Sequence, residues 1–173
     1  MALKSKLLLF TSIIILLGSV SLSAQQNAAE KDYEQKAAFL IRFVDYVYWK
    51  NQSKNKTFKI AILEENPINN YLLAVQNTKK IEVKEYKRLQ DIGFCHILFI
   101  PYDCSVSIEN IISNFSDKPV LIVTERSGFG KKGAHMNFVM IDNKLKFEVN
   151  LKAINKVGIG ISSFLLQHAI IVE

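Results

Sequence analysis

The sequence predicts an α/β domain: a mostly parallel sheet flanked by helices on both faces, a Rossmann-like three-layer arrangement, closed by a C-terminal β-hairpin and then helices. Three observations carry this. The apolar runs "CHILFIP" and "PVLIVTE" read as strands buried on both faces, and "FKIAILE" reads as a further strand. Helical patterns separate them, and strand-helix alternation of this kind builds a parallel sheet with right-handed crossovers. After Gly133 the rhythm changes to two strand runs, "MNFVMID" and "KLKFEVN", joined at Asp142-Asn143, a hairpin signal.

Taken in order, the chain opens with Lys4 and Lys6 ahead of an apolar run of fourteen residues, Leu7 to Val20, and a small-residue stretch "SLSAQQ". This is the pattern of a secretory signal peptide, residues 1–24, cleaved near Ala24. The run is shorter than the ~20 residues a spanning helix needs. One domain, 25–173, remains, and its length suits a single core.

"YEQKAAFLIRFVDYVYW" places Tyr33, Ala37, Leu40, Val44 and Val47 on one stripe, widened by Phe39, Phe43 and Tyr46, with Glu34, Arg42 and Asp45 opposite. The spacing predicts an amphipathic helix of about four turns. Trp49 falls on the polar face if the helix continues that far, so either the helix ends before it or the indole is left for a contact. After the loop "KNQSKNKT" come the strand "FKIAILE", a helix over "PINNYLLAVQN" and the strand "KIEVKEY". A short helical turn "RLQDI", the strand "CHILFIP" and a helix from Ser105 or Ser107 follow, then "PVLIVTE". Beyond the hairpin, "LKAINKVG" and "SSFLLQHAII" are expected to be helical.

Between "PVLIVTE" and the hairpin, Gly128, Gly130 and Gly133 have the G-x-G-x-x-G spacing of a dinucleotide-binding loop, and Glu148 lies twenty residues after Gly128, where that fold keeps a ribose-binding acid. The motif requires a helix that starts inside it, so that amides and dipole face the pyrophosphate. Residues 134–141 read as a strand instead, with Met136, Phe138 and Met140 alternating against Asn137 and Val139. A P-loop fails too, because Ala134 and His135 follow Gly133. The stretch is therefore expected to be a glycine-rich loop, with no bound cofactor. A small-anion site built from the Arg126 to Gly133 loop, with Lys131 and Lys132, is the alternative reading.

Net charge is +6 at pH 7, of which Lys4 and Lys6 supply two units. The basic residues are dispersed, and no basic stripe interleaved with aromatics argues for nucleic acid. Cys95 and Cys104 enter an oxidising compartment, yet the strand starting at Cys95 carries the chain ~20 Å away, so an intrachain bridge is disfavoured. His96, His135 and His168 have no metal-ligand spacing, there is no nucleophile elbow, and no acid pair is recognisable. No catalytic, cofactor or metal residue is assigned, and a binding or regulatory module is favoured over a hydrolase.

"KAAFLIRFVDYVYW", "CHILFI", "PVLIVTERSGFGKKGAHMNFVMIDNKLKFEVNL" and "GIGISSFLLQHAIIV", in this order, resemble the YfiR family of bacterial periplasmic proteins from about Lys36 to Val172. The resemblance implies an α/β domain, periplasmic localisation, a homodimer and a non-enzymatic role. Family members of known role restrain a membrane-bound diguanylate cyclase through its periplasmic sensor domain, which tunes cyclic-di-GMP and biofilm formation. An outer-membrane lipoprotein can sequester the repressor, and the resemblance leaves the partner open between a cyclase, a sensor histidine kinase and another membrane receptor. The chain departs from the family at Trp49-Lys50, where Trp-Pro is common, at Arg42, where a small polar residue is usual, and in having no family-like disulfide. The departures on the first helix bear on partner identity.

Glu148 and Asn150 share one face of "KFEVNL", opposite Phe147, Val149 and Leu151. Asn150 is also a natural N-cap for the next helix. Arg126, Lys131, Lys132, Glu148, Asn150 and Trp49 are thus the candidate residues for contact with a partner or ligand.

Overall fold

The computed structural model describes residues 30–50 and 57–173; the expected signal peptide and the loop 51–56 lie outside the described residues. Along the chain run α1 (30–46), β1 (Val47–Trp49), β2 (Phe58–Leu63), α2 (Ile68–Lys79), β3 (Ile81–Tyr86), β4 (Ile97–Ile100), α3 (Ile108–Asn114) and β5 (Leu121–Thr124). Then come β6 (Met136–Ile141), β7 (Lys144–Asn150), α4 (Leu151–Lys156), β8 (Ile159–Ile161), α5 (Ser163–Leu166) and β9 (Ile170–Val172). The short turn expected near "RLQDI" is a 3-10 turn at Leu89–Asp91.

Seven strands make one sheet in the order β3-β2-β4-β5-β6-β7-β9. From β3 to β6 all neighbours are parallel, β7 runs antiparallel to β6, and β9 runs parallel to β7. This is the expected mostly parallel α/β sheet with a hairpin appended. Asp142 and Asn143 have φ of 50° and 56°, the doubly positive pair of a type I′ turn.

Side-chain alternation sends each strand to two cores. Ile60, Ile62, Ile97, Phe99, Leu121 and Val123 meet α1 and α2 on one face. Ala61, Leu63, Leu98, Ile100 and Ile122 meet Ile111 of α3 and Phe115 at its C-cap on the other. Cys95 and Cys104 are both free thiols in this second core, and burial raises both, Cys95 to about 12. On the first face, Phe43 is fully buried with its ring 6.0 Å from Phe138 and 5.4 Å from Phe147.

Three expectations are corrected. Helix α1 ends at residue 46, ahead of Trp49, as one of the two readings had it; the correction is that Val47-Tyr48-Trp49 is extended and pairs antiparallel with β8, a pair absent from the expected elements. Trp49 is thereby buried, 8% exposed, against Phe58 and His96. The final helix spans only four residues, since the β-branched run Ile170-Ile171-Val172 adds a seventh strand beside β7.

Phe43→Ala leaves a void shared by α1, β6 and β7. A loss of about 3–5 kcal/mol in unfolding free energy is expected, read by urea denaturation with an unchanged m-value.

Candidate functional site

Residues 125–135 connect β5 to the parallel strand β6 without a crossover helix, as the sequence implied. Gly128 and Gly133 take φ of 81° and 103°, which turns the loop back on itself. The Ala134 N–H donates to the Phe129 carbonyl at 3.0 Å. Phe129 pins the loop, buried with Ala134 against Ile108 and Ile112 of the α3 segment.

Beneath the loop lies a polar layer. The Thr124 hydroxyl donates to Asn137 Oδ1 at 2.7 Å, and Asn137 Nδ2 donates to Glu148 Oε2 at 2.8 Å. Gly130 sits directly over that carboxylate: a Cβ there would stand 2.6 Å from Glu148 Oε2. Asn150 accepts from the Ala153 N–H at 2.9 Å, capping α4, and donates from Nδ2 to the Gly130 carbonyl at 2.9 Å. The glycine that resembles a cofactor motif is needed for close approach, and the acid at the ribose-like position is occupied by its own protein.

Arg126, Lys131, Lys132, Glu148 and Asn150 are thus gathered around one loop, and Trp49 is at the other end of the sheet, beside Phe58 and His96 ahead of β4. The Arg126 guanidinium lies 5.5 Å from the Tyr102 ring and 5.2 Å from Phe129, and donates from Nε to the Tyr102 carbonyl at 2.8 Å. Lys132 stands 3.9 Å from Glu109 on α3. His135 is buried and its Nδ1 accepts from the Ile122 N–H at 3.0 Å. Burial pushes its imidazole down to about 4, opposed by a hydrogen bond to Val120.

Open α/β sheets bind ligands at the carboxyl ends of strands where connections diverge, here β2 and β4. That crevice holds residues the sequence did not single out. Glu64, at φ of 70°, accepts from the Ser105 N–H at 3.1 Å and from its hydroxyl. Glu125 accepts from the Tyr102 N–H at 2.9 Å and from Lys36 at 2.5 Å, and Lys36 also pairs with Asp32. Burial alone would lower the Lys36 ammonium, but the hydrogen bonds to Asp32 and Glu125 win and hold it raised. Burial, and then the Glu125 charge, raises the Tyr33 phenol. The partners lie far apart in sequence, so spacing gives no signal for them. Among the described residues no group of three or more His, Cys, Asp or Glu is placed to hold a metal ion.

Gly130→Ala is expected to cost about 1–3 kcal/mol by overpacking, and less when introduced together with Glu148→Ala, a coupling that a double-mutant cycle in urea measures. His135 is depressed in the folded state, so the unfolded chain takes up the proton first as pH falls below ~6.5. Stability is therefore lost between pH 6.5 and about 4, by roughly 3 kcal/mol in total. His135→Gln should flatten that part of the pH profile, seen as the difference between the two proteins' unfolding curves across this window.

A family model described as YfiR/HmsC-like matches residues 33–170. Comparison with curated proteins found no match.

Proposed function

The chain belongs to the YfiR/HmsC-like family, and on that footing we propose that it is a non-enzymatic periplasmic regulator that binds the periplasmic sensor region of an inner-membrane signalling protein, a diguanylate cyclase or histidine kinase, and restrains its output. The carrying observation is the extent of the match, which reaches from the first turns of α1 to the start of β9 and so includes every layer of the fold. The regulator works by linkage. Binding preferentially to the receptor's inactive state shifts the population towards it, and the shift cannot exceed the difference in affinity for the two states. Competition by another envelope partner, such as an outer-membrane lipoprotein, releases the receptor.

A surface suited to such contact lies where α1 gives way to the β1–β8 pair. Tyr48 is 57% exposed and packs over Gly160, and Phe164, 51% exposed, lies 5.0 Å from the Tyr46 ring. Aromatic side chains exposed in this way supply large contact area at low entropic cost and dominate binding hot spots. Arg42, one of the departures from the family pattern, lies nearby with Tyr46 in a shared groove on α1.

Affinity capture from envelope fractions is expected to recover a membrane cyclase or kinase with the native chain. Tyr48→Ala/Phe164→Ala should reduce recovery about tenfold or more while leaving the thermal midpoint close to native, since both rings are half exposed. Repeated recovery of no membrane signalling protein refutes the reading.

A further inference from the structure

The 131–133 turn, α3 and α4 enclose a cleft of about 320 Å³, within the size range of small-molecule sites. Its walls are divided by chemistry. Ile112, Phe115, Ile122 and Val157 supply apolar surface, and Lys131, Lys132, Lys152 and Lys156 are its basic lining residues. Against these the lining offers one carboxylate side chain, Glu173. Lys132 is the sole member of the four with an ion-pair partner among the described residues, and that contact to Glu109 is long, 3.9 Å.

This concentration of like charge is unfavourable in itself. Lys152 and Lys156 are four residues apart on one helix, where like charges repel, and Lys131 and Lys132 are adjacent on the turn. No acid on α4 offsets them, for its first turn contains none. An anion in the cleft removes the repulsion and gains attraction from several cations at once, and the apolar wall adds affinity for a hydrophobic body beside the charge. Arg126, which the sequence grouped with Lys131 and Lys132, is not part of the lining, because its guanidinium is engaged by the Tyr102 carbonyl.

We propose that this cleft binds a small amphiphilic anion, a carboxylate or phosphate on a compact apolar body, held by Lys131, Lys132, Lys152 and Lys156. Tyr48 and Phe164 are not among its lining residues, so it gives the protein a small-molecule input that does not depend on the receptor-binding reading.

Isothermal titration calorimetry of the purified chain tests this with phenyl phosphate, inorganic phosphate and phenol as probes. Phenyl phosphate should bind saturably, and inorganic phosphate about tenfold or more weakly for lack of the apolar contact. Phenol should give no saturable heat. Lys152→Glu/Lys156→Glu should weaken phenyl phosphate binding by about tenfold or more, and raising the salt concentration should weaken it in the native chain. Both lysines are exposed, so the fold is expected to persist; Lys152→Gln/Lys156→Gln gives the same reading with a milder change. Binding should survive in Tyr48→Ala/Phe164→Ala, which separates this site from the receptor surface. Absence of saturable phenyl phosphate binding at millimolar concentration overturns the proposal, as does unchanged affinity in folded lysine variants or equal affinity for inorganic phosphate.

Discussion

Helix α1 has to meet two unlike demands along one length. Towards its C-terminal half, Phe39 and Phe43 press into Phe138 and Phe147 of the hairpin, tying the start of the domain to its last third. Towards its N-terminal end, Lys36 reaches Glu125 at the carboxyl end of β5, where burial would be costly for either charge alone. The apolar contact supplies most of the attraction, and the ion pair favours one register, since sliding the helix would carry Lys36 away from Glu125 while its partner Asp32 moves with it. The mixed sheet depends on this, because the hairpin strands meet the parallel strands through only two register pairs between β5 and β6.

The same arrangement explains where this fold leaves room. At the divergence of β2 and β4, the crevice that many α/β proteins use for ligands is taken up by Glu64, Ser105, Glu125 and Lys36. The glycine loop is likewise closed on the polar row Thr124, Asn137 and Glu148. Space remains on the α3 side, where a loop instead of a crossover helix covers the sheet incompletely.

Much of this was legible in the sequence for identifiable reasons. The three apolar runs became β2, β4 and β5, and the Asp142-Asn143 turn became a type I′ hairpin, because local pattern and turn chemistry agree there. Asn150 caps α4 as its position implied, and Ser107 caps α3 by accepting from the Asn110 N–H at 3.3 Å. The β1–β8 pair was hidden because each strand has three residues and its partner lies far along the chain. β9 was hidden because "SSFLLQHAII" satisfies a helical period until pairing with β7 overrides it. At the candidate site, the loop cations were visible as neighbours in sequence. Lys152 and Lys156 were not associated with them, because only the fold brings α4 beside residues 131–133.

The burial of Trp49 also makes one end of the molecule observable. It is the chain's single tryptophan, with its indole edge-on to Phe58 at 5.1 Å and to His96 at 5.7 Å. Tryptophan emission, excited selectively over the tyrosines, therefore originates in one place, where the β1–β8 pair meets the amino-terminal rim of the main sheet. It is remote from the loop that follows β5. A change in emission colour on adding a partner or solute thus reports a disturbance of the packing around β1 and β8.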